Sequence, residues 1–128
     1  MSKEKETRKQ LRELAGKAHD RELDLYLSDL ESRFFEWRAG TISPIKLSDF
    51  IHEYHDGAAR AVYKTYTKLK RDQLVARAIG IGYLSKDEVP LEIKERLAGE
   101  IDFFREHYEI DDDDPLSKLR RSAIIEES

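Results

Sequence analysis

Apolar residues recur every three or four positions along most of this chain, and nowhere do they alternate over a useful length. That is the period of helices and not of strands. The longest run in one phase lies between Ser43 and Ile79, where Leu47, Ile51, Tyr54, Ala58, Val62, Tyr66, Leu69, Gln73 and Ala76 follow at spacings of four and three. At about 100° per residue these positions share one broad arc, with Arg60, Lys64, Lys68 and Arg71 opposite. Ser43 before Pro44 is a helix start, pairing a capping hydroxyl with a residue that has no N–H to leave unsatisfied. Unbroken, the stretch would measure about 54 Å at 1.5 Å per residue, longer than a small domain is wide. A kink or break at Asp56-Gly57 would shorten it, but the retained phase predicts a helix that is continuous or merely kinked. Phe50, Gly57 and Ala61 widen the apolar arc and predict neighbours on two sides.

The amino-terminal third carries two stripes. Leu11, Leu14 and Ala18 make a narrow one in residues 3–19, weakened by Gly16, and Leu25 continues it. Leu23, Leu27, Leu30, Phe34 and Trp37 make a stronger one, rotated from the first by roughly half a turn. The second stripe is expected to pack on the central helix. The first, Leu11, Leu14, Ala18 and Leu25, is expected to serve a partner or a second copy of the chain. Gly40 ends the first long helix, and the short connection to Ser43 makes its neighbour antiparallel. Gly80-Ile81-Gly82 ends the central helix, Ser85 to Glu88 has the form of a capping box, and Pro90 opens a last helix carrying Ile93, Leu97, Ile101, Phe104 and Tyr108.

The expected fold is therefore all-α, a small bundle of two long antiparallel helices, about 20–39 and 44–79, with a third, 90–108, across them. Residues 1–19 form a peripheral charged helix, 20–108 the bundle, and 109–128 an acidic tail with a short amphipathic segment.

Composition narrows the classes. The 128 residues suit one domain with its own core. With no cysteine, disulfides, thiolate metal sites and a cysteine nucleophile are excluded. No run approaches the roughly 20 apolar residues of a membrane span, and the charged amino terminus lacks the apolar stretch of a signal peptide, so a cytoplasmic protein is expected. The net charge of −4 is unevenly spread. Residues 109–114, EIDDDD, contribute −5, whereas Arg60, Lys64, Lys68, Lys70, Arg71 and Arg77 against Asp72 give residues 60–77 a local +5.

Three candidate chemistries follow. Asp49, His52, Glu53, His55 and Asp56 are the densest group of ligand-capable side chains, and His52 and Asp56 lie one helical turn apart, so His52, His55 and Asp56 are candidate ligands for a divalent ion. The His55-Asp56 pair resembles that of the HD superfamily of metal-dependent phosphohydrolases. The resemblance implies a helical fold in which His19 supplies an upstream ligand and Asp102 or Asp111 the last, although Gly57 replaces the apolar segment that follows the family's pair. The stripe Arg60, Lys64, Lys68 and Arg71, with Tyr63 beside it, can follow a phosphate backbone while the tyrosine stacks on a base. The same stripe also suits a solvated helix face. The acidic run, in turn, can lie against it. Catalysis by a serine nucleophile or a phosphate loop lacks its motifs. The leading expectation is a small cytoplasmic, non-catalytic protein without cofactors that acts as an adaptor or regulatory subunit on another protein or as a homodimer. A nucleic-acid-binding regulator and an HD-like phosphohydrolase are the alternatives.

Overall fold

The computed structural model describes residues 2–107; the acidic run, Tyr108, Asp111 and the amphipathic segment after Pro115 lie outside them. Every regular element among the described residues is helical. Helix α1 runs unbroken from Ser2 to Arg38, α2 is Pro44–Glu53, and a π-helical turn, Tyr54–Ala59, joins it without a break to α3, Arg60–Lys68. Helix α4 follows as Arg71–Ile81, then a 3₁₀ turn at Lys86–Glu88, α5 as Leu91–Arg96 and α6 as Ala98–His107.

Local chemistry sets most boundaries. At the end of α1, Gly40 takes the left-handed φ of +79°, which lets Thr41 N–H reach back to Glu36 O at 2.9 Å. A side chain at Gly40 would strain that φ. The Ser43 hydroxyl accepts from Lys46 N–H at 3.1 Å, with Pro44 as the first helical residue. Gly82, at φ +111°, closes α4. Ser85 N–H donates to Glu88 Oε2 at 2.8 Å, completing the box around the 3₁₀ turn.

The arrangement departs from the expected one in three places. The chain stays continuous at Asp56-Gly57, as the retained phase predicts, with the helix widening there into a π turn, but it breaks at Leu69-Lys70, both extended, with Gln73 Oε1 accepting from Lys70 N–H at 3.0 Å. Nothing local demands that break. It redirects the chain so that Leu69 and Leu74 join the main core, a case of tertiary packing overriding helix propensity. The last helix is likewise divided, at Leu97. Finally, the first nineteen residues are not peripheral. Leu11, Leu14, Ala15 and Ala18 are buried among α4, α5 and α6 residues, including Val75, Ile79, Ile93 and Ile101.

Helix α1 is about 55 Å long at 1.5 Å per residue, so its two ends meet different neighbours. Its first half closes a compact bundle with α4, α5 and α6. From Leu23 onward its second half pairs chiefly with α2, the π turn and α3, forming an arm. Within the arm Arg33 lies over the Phe50 ring, Tyr26 meets Ala58 and Val62, and Glu22 meets Tyr66. Positions rise on one side as they fall on the other, so the two helices run in opposite directions. The half-turn offset between the stripes follows from this: Leu25 packs on the bundle core and Leu23 on the arm's small one.

Candidate functional site

The arm buries little. Its core is Tyr26, Ala58 and Val62, with Leu23, Tyr54 and Tyr66 half-buried against them, and Leu47 of α2 is buried apart from this cluster. Two paired helices cover only one seam of each other, so a wide apolar arc keeps its flanks in water. Leu27, Phe34, Phe35, Ile45 and Ile51 are all exposed, Phe35 at 66% and Ile45 at 77%. The expected second neighbour of the central helix is absent from the arm among the described residues. Charged groups brace the tip: Arg33 sits 3.2 Å from Glu36 and 4.5 Å from the Phe50 ring centre. Four carboxylates against two arginines in residues 23–38, and three against one lysine in 44–59, make the arm −4 overall.

A buried polar network marks the elbow between arm and bundle. Glu22, 2% exposed, accepts from both guanidinium nitrogens of Arg77 at 2.8 and 3.0 Å and from the Tyr66 hydroxyl at 3.0 Å. Burial, and next the Glu22 charge, push the Tyr66 phenol well above its ordinary value. Burial works against the Arg77 charge, but its hydrogen bonds to Glu22 outweigh that and raise it further. A carboxylate at this depth needs such a partner. Tyr66 packs against both cores, and His19 stacks on it with ring centres 4.1 Å apart and planes 7° from parallel.

Beside the elbow lies an open groove of about 730 Å³ between α1 and the α3–α4 break, within the roughly 300–1,000 Å³ of small-molecule sites. Gly16, His19, Tyr63 and Tyr66 are among its walls, and Arg8, Lys70 and Arg71 stand at its edge. A second depression continues from it over Lys5, Arg8, Lys9, Arg12 and Arg71.

These positions reorder the sequence candidates. The basic stripe is not one surface: the break at Leu69-Lys70 separates Arg60, Lys64 and Lys68 on α3 from Arg71, which joins cations of α1. The α1 cations were overlooked, yet Lys5, Arg8, Lys9 and Arg12 show the i, i+3, i+4, i+7 spacing of one helical face. Among the described residues no three histidine or carboxylate side chains converge to hold a metal. His52, His55 and Asp56 are exposed along the arm. The HD-like set is also dispersed, with His19 stacked on Tyr66 and Asp102 paired with Arg105 on α6. Of the residues expected to meet a partner, Leu11, Leu14 and Ala18 are covered by the chain's own α4–α6 and Leu25 is half-buried there, because α1 is continuous and its first stripe is needed inside.

No described helix is long and apolar enough to cross a membrane. No protein-family model matches the chain, and no curated protein or solved structure matches it either.

Proposed function

We propose that this chain is a non-catalytic interaction protein of the cytosol, an adaptor or regulatory subunit whose arm docks an apolar helical segment of another protein. One observation carries the reading: Leu27, Phe34, Phe35, Ile45 and Ile51 are exposed on a paired-helix arm that has no third helix against it among the described residues. Large apolar side chains left in water on one element are where proteins bind one another.

Charge selects the kind of partner. An arm of net −4 laid on a second copy of itself sets like charges against each other. A helix with lysines or arginines flanking its apolar face is complementary instead, and such complementarity favours the correct partner and its rate of encounter.

The test is a photo-crosslinking residue placed in the full chain at Ile45, at Phe35 and, as a control outside the arm, at Leu91. The proposal expects one partner protein crosslinked from both arm positions, absent from Leu91, and lost when Phe34→Glu is added. Crosslinks to a second copy of the chain, or equal yields from Leu91, overturn it.

A further inference from the structure

The groove beside the elbow is independent of the arm's docking face and has a chemistry of its own. Six cations border it and the adjoining depression: Lys5, Arg8, Lys9 and Arg12 on α1, with Lys70 and Arg71 where α4 begins. None of the six makes an ion pair among the described residues, although neighbouring bases do: Lys3 pairs with Glu92, Lys17 and Arg21 with Glu88, and Arg96 with Asp72. Of the two carboxylates that share these surfaces, Glu6 and Asp72, the second is thus engaged by Arg96. Six cations against the one remaining carboxylate, Glu6, leave these surfaces net positive, and such a surface attracts an anion.

The groove floor is aromatic. Tyr63, 68% exposed, and the parallel His19 and Tyr66 rings line it, and Gly16, one turn before His19, leaves room beside them, with nothing within 4 Å of where a side chain would begin. A flat π-system entering here meets ring faces while its anionic attachments reach the cations outside.

From this juxtaposition we infer that the groove binds single-stranded nucleic acid, one base stacking on Tyr63 while the backbone phosphates run along Lys5, Arg8, Lys9 and Arg12. The spread of charge argues for a strand over an isolated phosphate: from Lys5 to Arg12 is about 10 Å of helix at 1.5 Å per residue. The aromatic floor argues for a single strand over a duplex, whose bases remain in their own stack. Aromatic faces beside a basic track are the general means of holding unpaired strands without reading their sequence.

The test is fluorescence anisotropy of the full chain with labelled oligothymidine and oligouridine of about 15 nucleotides, near the upper end of single-strand site sizes, and with a duplex of equal length. Expected is binding of one or both single strands more tightly than the duplex. Affinity should fall with salt at a logarithmic slope of about −2 to −4, for three to six phosphates at roughly 0.7 each. Tyr63→Ala should weaken binding by about 5- to 150-fold with the slope unchanged, and Tyr63→Phe should retain it. Arg8→Ala and Arg71→Ala should each flatten the slope by about 0.7, whereas Arg60→Ala should change neither quantity. Tyr63 and Arg8 are exposed, so these variants should keep the parent circular dichroism. No binding to either strand, equal affinity for the duplex, or an unchanged affinity in Tyr63→Ala overturns the inference. The arm's crosslinks are unaffected by any of these results, so the two proposals fail separately.

Discussion

The two ends of α1 face unlike surroundings. In the bundle, Leu11, Leu14, Ala15 and Ala18 belong to one buried cluster with residues of α4, α5 and α6, and Leu84, Ile93 and Val75 are its largest fully buried side chains. In the arm the same helix has one neighbouring track, and Leu27 and Phe34 stay exposed while Leu23, Leu30 and Trp37 are only half-buried, although their stripe is the more regular of the two. Regularity of an apolar stripe therefore measures helix formation and not burial. What buries a stripe is the chain that returns to it, and after Leu69 the chain returns to α1 no further along than the elbow around Arg21, Glu22 and Leu25.

The sharpest way to break this contrast is at the elbow. Glu22→Ala should cost about 3–5 kcal/mol, because Arg77 would keep its charge in a buried site with its partner gone. A chemical denaturation midpoint measures it, and a loss below about 1 kcal/mol would mean that water already reaches the pair. Truncation compares the ends directly. Leu84→Ala in the bundle should cost about 2–5 kcal/mol, against about 0.5 kcal/mol or less for Leu27→Ala on the arm; equal losses would mean the arm's face is covered in the free protein.

One substitution should have opposite signs in the two regions. A β-carbon at Gly80 would stand 2.9 Å from Ile101 O and 3.1 Å from Arg105 N, so Gly80→Ala must push α4 from α6, at about 1–3 kcal/mol. At Gly57 nothing lies within 4 Å. Gly57→Ala should therefore stabilise by up to about 1 kcal/mol through helix propensity. Thermal melts of the two variants give the signs.

The smallest effect is on pH. Arg21 donates to both Glu88 oxygens at 2.6 and 2.7 Å. These bonds, against some desolvation and with help from Ser85, hold Glu88 at about 2, below an ordinary 4.5. A depressed carboxylate adds stability above its unfolded value and loses it as pH falls to its folded one. The contribution, under about 1 kcal/mol for so open a pair, should fade between about pH 4.5 and 2. It should be missing from Arg21→Ala, and hydrogen exchange should show the acid loosening in the bundle and not at the arm tip.

Part of the candidate surface was legible in residue spacing. The cations at Lys5, Arg8, Lys9 and Arg12 form a face by period alone, and Tyr63 stands near basic residues in any helical reading. Their meeting across the groove was not legible, since it requires the turn at Leu69-Lys70 that swings Arg71 away from Lys64 and Lys68. Glu22 and Arg77 are 55 positions apart, and nothing near either residue marks it as buried. The exposure of Leu27, Phe34 and Ile51 was likewise hidden, because their stripes read as core.

By itself the sequence determined the helical period, the caps at Ser43 and Ser85, and the stops at Gly40 and Gly82, each of which depends on groups within a few residues of one another. Tertiary structure alone decided that α1 is one helix serving two cores, that the central stretch turns at Leu69, and that Leu27 and Phe34 of the second stripe stay in water. Those outcomes rest on competition among surfaces far apart in the chain, where burying one stripe leaves another without a neighbour.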